Sequence, residues 1–135
     1  MAELLITQEL LDKVISHCKE VYPKEACGIL AGKDGVVKRA YKMRNLENSS
    51  ISYMMDPKEQ FTVMKEIRKD GLDITAIYHS HPDVYAYPSP KDIKLATYPD
   101  SVYVIVSRLN EEPKVKAFTI KDETVKEVEM KVILK

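Results

Sequence analysis

Leu10, Leu11, Val14, Ile15, Cys18, Val21 and Tyr22 recur at three- and four-residue intervals, which predicts an amphipathic helix. Thr7 reads as its N-cap, Gln8 and Glu9 as its first turn, and Pro23 as its end. His17 falls on the polar side of that stripe and is expected in solvent. Ala26 to Ala31 is a small apolar run closed by Gly32, and Asp34-Gly35 is a hairpin signal ahead of Val36-Val37. The polar stretch from Arg44 to Ser50 predicts a loop, and Ile51 to Met55 a short strand. Asp56-Pro57-Lys58-Glu59 opens a second helix: an Asp cap, Pro at the first helical position and Glu three residues after the cap. Phe61, Met64 and Ile67 would be its buried face, and Asp70-Gly71 its stop.

Ile74 to Tyr78 is nearly all apolar or β-branched, as expected of a strand buried on both faces. It runs into His79-Ser80-His81-Pro82 and a loop rich in Tyr and Pro. Ser89-Pro90 then opens a short helix containing Ile93 and Ala96. Ser101 to Ser107 predicts another buried strand, and Lys114–Ile120 and Thr124–Leu134 two closing strands around Lys121-Asp122-Glu123. This order predicts a mixed α/β sheet with helices packed on it, and 135 residues suit one domain, 1–135.

Composition narrows the function classes. The apolar fraction of 44% is that of a globular chain. With 21 basic and 21 acidic residues there is no cationic excess, so no nucleic-acid partner is expected. No apolar run approaches the roughly 20 residues of a membrane span. The start Met1 to Thr7 lacks the charged and apolar regions of a secretory signal, so the expected compartment is cytoplasmic. Cys18 and Cys27 form no Cys-x-x-Cys pair and read as small core residues.

His79 and His81 stand two apart in an extended segment, so their rings point to one side, and Pro82 favours that extended backbone. Two imidazoles on one face supply two corners of a zinc tetrahedron, and Asp92, on the first turn of the next helix, is placed to add a carboxylate. Two His and a carboxylate with an open position also suit non-haem iron, so spacing alone leaves the metal open. Ser89-Pro90-Lys91-Asp92 is equally a capping box of the Asp56-Pro57-Lys58-Glu59 kind, and Glu25 alone would be a surface carboxylate.

Taken together, His79-x-His81-Pro82, six residues, Ser89-x-x-Asp92 and the upstream Glu25 resemble the signature of the JAMM (MPN+) metalloproteases. The segment Pro23-Lys24-Glu25-Ala26-Cys27-Gly28-Ile29-Leu30-Ala31-Gly32 resembles the prokaryotic branch. The resemblance implies a cytidine-deaminase-like fold, a curved mixed β-sheet flanked by helices. It implies one zinc per chain on His79, His81 and Asp92, with Glu25 moving the proton of the attacking water and Ser89 donating to the oxyanion. It also implies a substrate: a ubiquitin-like or sulfur-carrier protein ending in Gly-Gly. The bond cut would be an isopeptide bond after that tail, or one releasing cysteine or a C-terminal extension. A non-catalytic scaffold of the same fold is the rival, although such relatives typically lose the ligands retained here. A deaminase-like hydrolase lacks its Pro-Cys-x-x-Cys pair. The Arg44–Ser50 and Tyr85–Pro88 loops are the expected walls of a substrate groove.

Overall fold

The computed structural model describes residues 3–134; Met1, Ala2 and Lys135 lie outside them. Strand β1 (Glu3–Thr7) leads straight into helix α1 (Gln8–Val21), and Thr7 caps the helix by accepting from Leu10 N–H at 3.2 Å. The hairpin β2 (Cys27–Lys33) and β3 (Val36–Met43) turns at Asp34 and Gly35, both at positive φ, as an Asp-Gly turn requires. Helix α2 (Pro57–Lys69) starts at Asp56, whose side chain accepts from Lys58 N–H, and stops before Gly71 at φ 70°. Then follow β4 (Asp73–His81), α3 (Pro90–Lys94), β5 (Val102–Ser107), β6 (Lys114–Lys121) and β7 (Thr124–Ile133). No helix among the described residues is long and apolar enough to cross a membrane.

The expected curved mixed sheet is present, and its curvature runs to closure. The strand order is β1-β3-β2-β4-β5-β6-β7, with β1 returning to pair with β7 in parallel from Glu3↔Glu129 to Thr7↔Ile133. The β4–β5 pair, bridged by α3, is also parallel. Every strand sends side chains to an inner core filled by the Leu10, Leu11, Val14 and Cys18 stripe of α1. The other face of β2 and β4 carries a second cluster, including Cys27, Ile29 and Ile77, packed with Ile67 of α2. Across the β2–β4 pair the Tyr78 ring covers Gly28, where an added Cβ would overlap it.

Several sequence expectations are corrected here. His17 is buried, because positions 10, 14 and 17 share one helix face; its Nδ1 lies 2.7 Å from the Tyr78 hydroxyl. Ile51–Met55 is not a strand: it forms a single bridge, Asn45↔Met55. Phe61 is exposed, and α2 buries Ile67 with partial burial of Val63 and Met64. Ala96 lies beyond the end of α3. Strand β1 was not expected at all.

Candidate metal centre and acid–base site

Strand β4 is buried from Thr75 through His81, so both histidines belong to the strand rather than the loop after it. Its antiparallel register with β2 sets Cys27 opposite His79. Ser80 N–H continues the ladder by donating to the Ala26 carbonyl at 3.1 Å, and Ser80 Oγ accepts from Ala26 N–H at 2.8 Å. The next pair along is therefore Glu25 and His81. Opposite residues of an antiparallel pair share a face, so Glu25, His79 and His81 all rise on the same side of the sheet.

The third donor comes from α3. Ser89 Oγ accepts from Asp92 N–H at 3.0 Å, and Asp92 Oδ2 accepts from Ser89 N–H at 2.9 Å, a complete capping box. That box turns the Asp92 carboxylate toward the two rings. His79 Nε2 and His81 Nε2 are 3.1 Å apart, and each lies 3.0 Å from Asp92 Oδ2. Around a metal with 2.0–2.2 Å bonds, tetrahedral donors stand about 3.3–3.6 Å apart, so the triangle needs only a few tenths of an ångström of expansion. These residues fit a metal ion.

Second contacts orient the rings. His81 Nδ1 lies 3.0 Å from the Tyr85 carbonyl, which can only accept, so Nδ1 holds the proton and Nε2 keeps its lone pair. The His79 ring stacks on Tyr53 at 4.6 Å between centroids. His79 Nδ1 and Glu25 Oε1 are buried without a hydrogen-bond partner among the described residues, the kind of unmet polar atom that collects where a non-protein partner belongs.

Burial pushes the His79 imidazole below its ordinary pKa. Burial opposes protonation of His81 too, but the Asp92 carboxylate and the Tyr85 carbonyl outweigh it and the value rises. Burial alone would raise Asp92; the His79 and His81 rings and Ser89 N–H instead hold it well below the usual carboxylate range. Glu25 is 4% exposed, and burial pushes its carboxyl up to about 8, with His81 and Lys91 acting downward and Asp92 and Glu47 upward. A carboxyl poised near neutrality can both accept and return a proton.

The structure thus brings together Glu25, His79, His81, Ser89 and Asp92; Ser89 caps α3, and a hydroxyl that accepts from Asp92 N–H still has a hydrogen of its own to donate. Sequence reasoning missed three supports. Tyr53 sits in a segment taken for a strand. Asn45 spends its whole amide on local structure: Nδ2 donates to the Glu25 and Ser52 carbonyls, and Oδ1 accepts from Glu47 and Met54 N–H. Lys91 hides inside the capping box. None carries a periodic or motif signal. The two loops expected as groove walls line different cavities. Arg44, Asn45 and Asn48 line a cavity of about 650 Å³ beside Glu25. Tyr85 and Tyr87 instead line a separate groove against Lys114 and Phe118. The apolar cavity beside Asp92, about 320 Å³, is walled by Tyr53, Met55, Leu95 and Tyr98.

The profile of prokaryotic homologs of the JAB domain matches residues 7–121. The chain belongs to this family. A CysO-cysteine peptidase of Mycobacterium tuberculosis is 37% identical over 133 residues, 96% of this chain and 91% of that one. A desampylase of Haloferax volcanii is 32% identical over 113 residues, 78% of this chain and 81% of that one. The solution structure of a Desulfitobacterium hafniense protein superimposes with a TM-score of 0.89 at 36% identity, covering 98% and 94% of the two chains. This JAB-family chain is a hydrolase of the peptidase kind, with a site for a metal ion on one end of its sheet.

Proposed function

We propose that this JAB-family chain, acting as a single catalytic domain over residues 1–135, hydrolyses the bond after the C-terminal Gly-Gly of a ubiquitin-like or sulfur-carrier protein. Zinc would be held by His79, His81 and Asp92. The observation that carries the reading is the convergence of three donor atoms within 3.1 Å of one another on the face that also bears Glu25. A bound zinc supplies Lewis acidity to the scissile carbonyl and acidifies water. Glu25 takes a proton from the attacking water, holds it in its buried carboxyl, and hands it to the leaving nitrogen. Ser89 donates its hydroxyl hydrogen to the oxyanion, a contact worth about 10²–10³ in rate. A glycine tail suits a narrow approach to such a site because it has no side chains to accommodate.

The name of the mycobacterial relative, a CysO-cysteine peptidase matched along 96% of this chain, favours release of cysteine or a short C-terminal extension as the alternative to isopeptide cleavage. The retained ligand set argues against a scaffold. Balanced charge supports a protein partner over a nucleic acid, and the reaction is proposed to take place in the cytoplasm with no membrane partner. The test is mass spectrometry of Gly-Gly-terminated carriers and their adducts after incubation with zinc-loaded protein. Loss of the adduct at the Gly-Gly junction is expected. Intact adducts with every leaving group, at a measured zinc content of about one per chain, would refute the reading.

A further inference from the structure

Lys91 is the residue before Asp92 and lines the same cavity as the Asp92 carboxylate. Its Nζ reaches 3.0 Å from Glu47 Oε1, and Glu47 also accepts from Ser52 Oγ. The loop bearing Glu47 is tied to the acid–base residue itself, since Glu25 N–H donates to the Ser49 carbonyl at 2.7 Å and Asn45 donates to the Glu25 carbonyl. The Lys91–Glu47 pair therefore spans from α3 to the strap of chain that supports Glu25. With His81 and Asp92, Lys91 and Glu47 are the charges that act on the Glu25 carboxylate. The Lys91 side chain is 48% exposed, and only one of its three N–H donors is engaged by Glu47.

We infer that Lys91 reads the leaving group: its ammonium receives the free α-carboxylate of a single terminal amino acid joined to the Gly-Gly tail. This rests on the peptidase reading above. In the reaction the carbonyl carbon–nitrogen bond breaks, a carbon–oxygen bond forms to the water oxygen, and both water hydrogens finish on the nitrogen. The products are a Gly-Gly carboxylate and a protonated amine. The leaving nitrogen must come within hydrogen-bond reach of Glu25, which delivers the proton. In a terminal amino acid, the carboxylate carbon is two bonds from that nitrogen, about 2.5 Å away, so its negative charge stays beside Glu25, the carboxyl on which the Lys91 charge acts. In a lysine isopeptide the nitrogen is separated from its α-carbon by four methylenes, and the carboxyl beyond is part of a peptide bond. There is no charge there for Lys91 to meet.

Two substrates differing in one group test this. A ubiquitin-fold protein ending in Gly-Gly is extended by a single alanine, prepared once as the free acid and once as the carboxamide. The parent enzyme should prefer the acid by about tenfold or more in kcat/KM, the scale of one hydrogen bond to a charged group. Lys91→Gln should bring that ratio to about one, Lys91→Arg should restore most of it, and Glu47→Gln, which frees the ammonium, should maintain or raise it. Zinc content and thermal midpoint are measured on each variant. Equal rates on acid and carboxamide in the parent, or a preference that survives Lys91→Gln, would overturn the inference while leaving the peptidase reading intact. No cleavage of either substrate beside cleavage of a lysine isopeptide adduct would overturn the inference alone, and intact adducts of every kind would overturn both.

Discussion

Replacing Glu25 with Gln keeps the shape of the side chain and removes its charge, so it separates the proton-carrying role from packing. The carboxyl sits at about 8 in the fold against an ordinary value of 4.5. Below pH 4.5 it is protonated in folded and unfolded chains alike, and the parent resembles the Gln variant. Between 4.5 and 8 the folded chain holds a proton that the unfolded chain has released, so stability falls as pH rises. Above 8 the folded chain bears a buried carboxylate. At about 1.4 kcal/mol per pH unit the ceiling on that cost is about 5 kcal/mol, and access of solvent from the open side of the cleft reduces it to about 1–3 kcal/mol. For a chain of this length that is roughly 4–10 °C in Tm. Metal-free Glu25→Gln should therefore match the parent near pH 4.5 and exceed it by that margin at pH 9, by thermal unfolding in chelator across a pH series. Hydrolysis of a Gly-Gly adduct by the zinc-loaded variant should fall at least about 100-fold with zinc content unchanged. A Tm difference that is the same at pH 5 and pH 9 would show that Glu25 is not held protonated, and parent-like turnover would remove it from the reaction.

Three further perturbations probe the site and its support. Asp92→Ala leaves two histidines for the metal; loss of an outer contact already costs 10–100-fold in affinity, so loss of the ligand should cost at least about 100-fold, read by competition with a chromogenic chelator. Undiminished zinc affinity would exclude Asp92 as a ligand. Ser89→Asp retains a good N-cap but removes the donor and adds charge beside the oxyanion, so it should melt near the parent and lose most turnover; Ser89→Ala should lose turnover and also about 0.5–2 kcal/mol of stability. Full activity of folded, zinc-loaded Ser89→Asp would leave Ser89 a cap only. Gly28→Ala drives a methyl group into the Tyr78 ring and should cost about 1–3 kcal/mol or more in urea unfolding, whereas a neutral effect would mean that ring moves freely.

What could be read from sequence was whatever is local. Thr7, Asp56 and Ser89 announce their helices because a cap and its first turn lie within four residues. His79, His81 and Asp92 are legible for the same reason: a strand's two-residue period and a capping box set their spacing. Glu25 came from resemblance alone, since its meeting with His81 depends on how β2 registers against β4 across more than 50 residues. Leu4 and Ile6 do alternate with less buried neighbours, but their partner strand lies at the far end of the chain. His17 was misplaced because a polar residue type was allowed to outweigh a helical position that packs inward. Ile51–Met55 has strand-like residues and no neighbouring strand to pair with, so composition misled where pairing decides.

The β1–β7 seam carries a kinetic consequence. Glu3 and Glu129 must find each other across 125 residues of intervening chain, and closing a loop of that length costs on the order of 4 kcal/mol in chain entropy by itself. No shorter-range contact offsets that cost until β2 through β6 have already curved, so the seam should zip last in folding and open first in native fluctuations. Until it closes, β7 offers a bare edge to any other chain, and the ring is what removes that hazard. Native-state hydrogen exchange should accordingly find the paired β1 and β7 amides opening together at lower free energy than those of β4, and equal protection of the two would show that the barrel opens only as a whole.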